Sequence, residues 1–227
     1  HEQADYRLVS TTAVAAGQQI TARLGDRDVE FILGMRSAHW AQNAMAVLAT
    51  IDALGLDAAE SAQNLHDFND LPGRGAMSTG RFAKLGITLI DDSYNAGPRS
   101  MQAALASLHS AAPRILVLSD MLELGDASAA AHTALAPPIL ALRPRVVITI
   151  GDEMARMASN LPCLAASHHH ADTPAAAISI LHKLVRDGDT IFIKGSLGSG
   201  AWRVARAVLD AFSEAGPETA GDTISAT

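Results

Sequence analysis

Gly86-Ile87-Thr88-Leu89-Ile90-Asp91, followed by Asp92-Ser93-Tyr94-Asn95-Ala96-Gly97-Pro98, is an apolar, β-branched run that ends abruptly in a polar cluster. A helix-period stretch from Ser100 to Ser110 comes next. A short apolar run bounded by turn formers reads as a buried strand, and Pro98 suits the first turn of the helix behind it. The unit recurs. Ile115–Ser119, Val146–Ile150 and Thr190–Ile193 are further apolar runs, separated by helical stretches at Ala129–Leu142, Glu153–Ser159 and Pro174–Arg186, and followed by one at Ser199–Phe212. Strand and helix in alternation predict a doubly wound, mostly parallel α/β sheet covered on both faces, with right-handed crossovers.

Upstream the pattern differs. Tyr6–Val14, Gln18–Arg23 and Asp28–Leu33 are short alternating runs separated by Gly17 and by Gly25-Asp26-Arg27, which predicts an antiparallel meander. Ala44, Val47, Leu48, Ile51 and Leu54 then fall at helical spacing before Gly55, and a second helix is expected over Asp57–Phe68. Asn69-Asp70-Leu71-Pro72-Gly73 concentrates turn formers. The expected division is 1–72, 73–214 and a disordered tail over 215–227.

The chain has 227 residues, 48% hydrophobic and 18% charged, with a net charge of −7, and its basic residues are scattered, which argues against a nucleic-acid partner. One cysteine, Cys163, excludes an internal disulfide and a thiolate metal cage, and reads as a buried structural thiol of a cytoplasmic protein. No run approaches the ~20 apolar residues of a membrane span. The polar start without an initiator Met reads as a fragment whose upstream part is missing.

Ligands of open parallel sheets bind beyond the carboxyl ends of the strands, which singles out four places. Asp91-Asp92-Ser93-Tyr94-Asn95 is either a helix-capping loop or a pair of carboxylates for ribose hydroxyls or a cation. Asp120-Met121-Leu122-Glu123-Leu124-Gly125 is either a substrate contact or a loop packed by its own Met and Leu. Lys194-Gly195-Ser196, a cation before a glycine-rich helix start, favours an anion. Arg74, in Pro72-Gly73-Arg74-Gly75, is either a cleft residue or an ordinary surface arginine. His168-His169-His170 reads as a solvated polar turn and not as a metal site. No P-loop pattern G-x-x-x-x-G-K-[ST] occurs.

Gly34-(x4)-His39-(x3)-Asn43-Ala44, Gly73-Arg74, Asp91-Asp92-Ser93-Tyr94-Asn95-Ala96-x-Pro98, Asp120-Met121-x-Glu123-Leu124-Gly125 and Lys194-Gly195-Ser196, in this order, resemble the Mur ligases. Within them the branch joining D-alanyl-D-alanine to UDP-N-acetylmuramoyl-tripeptide is the most similar. The resemblance runs from about Asp5 to Phe212. Trp40, Gly97, Ser119, Gly200 and Ala201 depart from the family pattern, Ser119 standing where glycine usually precedes the aspartate. It implies the strand and helix tail of a central ATPase domain followed by a Rossmann-like C-terminal domain. It further implies a monomeric, ATP-dependent ligase of peptidoglycan precursors, with Mg2+ held mainly by upstream parts. By the same resemblance His39 and Asn43 border the adenine and metal region, Arg74 reaches ATP phosphate, Asp92 meets the ribose, and Tyr94 and Asn95 line that face. Lys194 and Ser196 then face the tripeptide and dipeptide, with Asp120 and Glu123 beside them. A sibling Mur ligase, a folylpolyglutamate synthase-like enzyme and a non-catalytic binding module on the same fold are the competing readings.

Overall fold

The computed structural model describes residues 4–36, 39–108, 114–159 and 168–214, and the chain divides into two compact units, His1–Ala76 and Met77–Thr227. The expectations placed on Cys163 and on 215–227 lie outside the described residues.

In the first unit β1 (Tyr6–Val14), β2 (Gly17–Leu24) and β3 (Arg27–Leu33) form an antiparallel meander, with Val14 paired to Gly17 and Leu24 to Arg27 across its two tight turns. Strand period two puts Ile20, Ala22 and Leu24 on one face with Val29, Phe31 and Leu33. Helix α1 (His39–Ala53) covers that face with Ala41, Ala44, Met45 and Leu48. The expected stripe is therefore turned. Val47 and Leu54 are exposed, because Met45 and Ala41 complete the inner face instead. Helix α2 is shorter than expected, Ala58–Gln63, capped by Asp57 and tightening into a 3-10 turn over Asn64–Asp67.

The second unit is a six-stranded sheet in the order β4-β5-β9-β6-β7-β8. Strands β5 (Leu85–Asp92), β6 (Ile115–Ser119), β7 (Val146–Ile150), β8 (His168–Ala171) and β9 (Thr190–Lys194) are parallel. Strand β4 (Ala76–Phe82) joins β5 through Ala83-Lys84, both at positive φ, the geometry of a two-residue hairpin. Two strands were thus not foreseen. Strand β8 corrects the reading of His168-His169-His170 as a solvated turn: the segment is a parallel edge strand whose imidazoles of His168 and His170 both meet the buried Thr149 hydroxyl, at 2.8 and 3.2 Å.

Helices α3 (Pro98–Ser107), α4 (Ser128–Thr133), α5 (Ala136–Leu142) and α6 (Asp152–Ser159) follow β5, β6 and β7. Buried residues of α3, α5 and α6, Met101, Leu105, Ile139, Met154 and Met157, form one core layer with Leu116, Leu118 and Val147 of the sheet. Helices α7 (Pro174–Leu184) and α8 (Ala201–Glu214) build the opposite layer through Ala177, Leu181, Val204 and Val208. The single helix expected over Ala129–Leu142 is two, broken before Pro137-Pro138, since a proline inside a helix lacks the donor for the preceding turn.

Candidate functional site

The chain leaves β5 and β6 toward one face of the sheet and leaves β9, which lies between them, toward the other. Loops that part in opposite directions from neighbouring strands open a crevice at the carboxyl edge, the usual ligand position in such sheets. Three of the four places singled out in the sequence lie there: the loops after β5, β6 and β9.

These loops are sewn together by buried polar groups. Asp92 and Lys194 are cross-strand partners at the last rung of the β5–β9 ladder, and the Lys194 ammonium lies 2.7 Å from the Asp92 carboxylate. The same ammonium donates to the Asn95 carbonyl at 2.9 Å. The Ser196 hydroxyl donates to the Ala96 carbonyl at 3.2 Å and accepts from the Leu122 amide at 3.0 Å, and the Ser196 amide donates to the Asp120 carbonyl at 3.3 Å. Ser196 thus touches all three loops. Ser119 and Ser199 share a hydroxyl–hydroxyl bond of 2.5 Å, and Gly195 passes so close that a Cβ there would lie 1.5 Å from the Ser119 hydroxyl oxygen.

Asp91 is buried and accepts from both the amide and the hydroxyl of Ser93, so the first aspartate of the pair holds its own loop. Asp92 keeps a partly exposed carboxylate. Asp120 accepts from the Met154 amide at 2.8 Å and the Glu153 amide at 3.3 Å, where it caps α6 from outside the helix, and a Cβ on Gly151 would collide with it. Glu123 is exposed with a left-handed φ of 64°, a strained conformation for a side chain of this size. One residue the sequence did not single out completes the edge. His132 of α4, fully buried, accepts the Met121 amide on Nε2 at 2.9 Å while Nδ1 donates to the Ser128 carbonyl at 2.8 Å, which ties the β6 loop to α4. Its only sequence signal is a lone histidine in an alanine-rich helix.

Tyr94, Leu122, Leu197 and Trp202, between 40% and 53% exposed, all belong to these loops or to the start of α8, and the Arg203 guanidinium lies 5.2 Å from the Trp202 ring centroid. Asn95 is also exposed, its side-chain oxygen accepting from the Ala96 amide. Large apolar side chains left exposed on loops that also hold buried charge are candidates for contact with a ligand or another surface.

The remaining site residues belong to the first unit. Arg74 is half-buried between Gly73 and Gly75, both at positive φ, with its amide bonded to the Leu71 carbonyl at 3.0 Å. Asn43 is exposed on α1, and the side chain of His39, the first residue of α1, lies outside the described residues.

Residues 80–197 match the family model for the Mur ligase glutamate ligase domain, just over half of the chain. The chain belongs to the Mur ligase family. It is 27% identical over 209 residues to the UDP-N-acetylmuramoyl-tripeptide–D-alanyl-D-alanine ligase of Escherichia coli, covering 91% of this chain and 45% of that protein. Among solved structures, MurF from Acinetobacter baumannii superposes with a TM-score of 0.75 at 21% identity, over 92% of this chain and 46% of that one. MurF from Thermotoga maritima, solved in complex with ADP, gives 0.72 at 19% identity, over 92% and 47%. The two structures establish the Mur ligase fold, and this Mur ligase chain spans about half the length of the curated relatives it matches.

Proposed function

We propose that this chain forms the carboxyl-terminal portion of a Mur ligase that joins D-alanyl-D-alanine to UDP-N-acetylmuramoyl-tripeptide at the expense of ATP, in the synthesis of peptidoglycan precursors. The observation that carries the reading is the crevice edge itself. Three loops bearing the family motifs, joined by Lys194 and Ser196, leave the Asp92 carboxylate partly exposed at the carboxyl edge, and the same loops and the start of α8 expose Tyr94, Leu122, Leu197 and Trp202. The similarity to a tripeptide–dipeptide ligase over 91% of the chain supports the choice of substrates.

In the proposed reaction ATP transfers its γ-phosphoryl group to the terminal carboxylate of the tripeptide and leaves as ADP, the dipeptide amine attacks the acyl phosphate, and the tetrahedral intermediate loses a proton and collapses to an amide and phosphate. The chemistry demands neutralisation of phosphate charge and exclusion of water from the acyl phosphate. Arg74 supplies a cation to phosphate, and Asp92 accepts hydrogen bonds from ribose hydroxyls, with Tyr94 and Asn95 on the same face. Asn43 and His39 border the adenine and metal region, and Glu123 adjoins the dipeptide. Asp120 and Ser196 act there through the loops they hold. Among the described residues no group of three or more histidine, cysteine or carboxylate side chains is placed to hold a metal, and no step here is routed through Mg2+. Among the same residues no helix is long and apolar enough to cross a membrane. A cytoplasmic, monomeric enzyme completes the proposal.

The test is phosphate release from ATP by the complete protein with both peptide substrates supplied. Turnover that requires all three substrates is the expected result, and none is expected from these 227 residues alone, which contain no P-loop. Arg74→Ala should lower kcat/KM by about 2 kcal/mol, the scale of a charged hydrogen bond. Turnover with a single amino acid in place of the dipeptide would assign the protein to a sibling ligase, and wild-type kinetics in the variant would remove Arg74 from the site.

A further inference from the structure

The charge of Lys194 is buried against protein partners. Its side chain is 3% exposed and that of Asp92 17%, so of the two it is the carboxylate that reaches the crevice. The ammonium is held between that carboxylate and the Asn95 carbonyl, beneath the loop that carries Tyr94. We infer that Lys194 is a positioning residue, which acts on the nucleotide through Asp92 and the 93–96 loop and touches neither peptide nor dipeptide. The inference rests on the ligase reading above for its nucleotide and on the ion pair for the rest.

The physical reason is electrostatic as well as geometric. A lone carboxylate at the mouth of a site for polyphosphate would repel the ligand and would swing among rotamers. An ammonium 2.7 Å away cancels most of that charge at the distance of a phosphate, yet leaves the carboxylate able to accept hydrogen bonds. Because Asp92 and Lys194 are register partners on adjacent strands, the backbone ladder presets their separation, and little side-chain freedom is left to lose when a ligand arrives. The bond to the Asn95 carbonyl extends the same control to the loop, so one buried cation holds both the carboxylate and the backbone of the segment that carries Tyr94 and Asn95.

Two measurements test this. In the chain itself, Lys194→Met and Asp92→Leu should each lower the melting temperature, since each removes one member of a largely buried ion pair, and the double variant should lose less than the sum of the two because it removes both. Losses that simply add would overturn the pairing. In the complete ligase, Lys194→Met should raise the KM for ATP about tenfold, with the KM for tripeptide and dipeptide within about twofold and partial rescue by Lys194→Arg. On an Asp92→Asn background the same change should add clearly less than in the parent, only the bond to the Asn95 carbonyl being left to lose. A rise confined to the dipeptide or tripeptide KM, or full effect on the Asp92→Asn background, would overturn the inference. A wild-type protein without ATP-dependent turnover would defeat the ligase reading instead, and the melting cycle would then decide the ion pair by itself.

Discussion

Gly195→Ala isolates the close packing on which the crevice edge depends. The added Cβ would fall 1.5 Å from the Ser119 hydroxyl oxygen, 2.8 Å from the Ser119 Cβ and 3.0 Å from the Ala201 Cβ. Rotating the Ser119 hydroxyl away would relieve the first contact but would break its 2.5 Å bond to Ser199, a loss of about 1 kcal/mol. The second contact cannot be relieved that way. Ser119 is fully buried and ends β6 in register with Ile150, so its Cβ can retreat only if the strand moves, and overpacking of this kind costs about 2 kcal/mol. The sum, about 3 kcal/mol, corresponds to a drop of roughly 6–12 °C in the melting of the second unit. Circular dichroism of the 227-residue chain measures it. Ser119→Gly in the same molecule removes both clashing atoms and should restore about a third of the loss, because the bond to Ser199 stays lost and glycine in a strand carries its own cost of about 1 kcal/mol. A Gly195→Ala melting point within about 2 °C of the parent, or a double variant no better than the single one, would refute the argument from packing.

Two further expectations follow from single contacts. Asp120→Ala should cost about 1–2 kcal/mol of stability in chemical denaturation by uncapping α6, with Asp120→Asn milder; unchanged stability with altered peptide KM would show instead that the carboxylate meets substrate. Burial, then the neighbouring His170 and His169, hold His168 below the ordinary histidine pKa. The unfolded chain therefore binds the proton more readily, so the stability this site contributes is complete above about pH 6.5 and falls away as the pH drops below it. Replacing His168 with Gln should flatten the dependence of the urea midpoint on pH between about 7.5 and 5, and equal slopes in parent and variant would contradict it.

What the sequence made legible was apolar. Ile115–Ser119, Val146–Ile150 and Thr190–Ile193 announce buried strands because every side chain in them except the half-buried Thr190 is inside, and the observed bounds match or extend those runs by a residue. Strand β4 was hidden because Met77, Ser78, Thr79 and Arg81 carry no alternating apolar signal, and a single phenylalanine, Phe82, reaches the core. Strand β8 was hidden because three imidazoles replace apolar residues and two of them are anchored by Thr149, a partner nineteen and twenty-one positions away. The same holds at the site. The loops could be placed at the carboxyl edge from strand ends alone. That Lys194 and Ser196 turn inward while Tyr94 and Trp202 turn outward depends on contacts between segments about a hundred residues apart.

The strand made last occupies the middle of its sheet. Strand β9 separates β5 from β6, which have no direct ladder between them, so while the chain emerges from the ribosome the first two strands can pair with nothing central until Thr190–Lys194 has been synthesised. Contacts so distant in sequence make closure of the sheet slow and late. A nascent chain stalled before Thr190 would hold the β4–β5 hairpin and the β6–β7–β8 ribbon as two separate, sticky pieces, both of them clients for chaperones until the final segment slides between them.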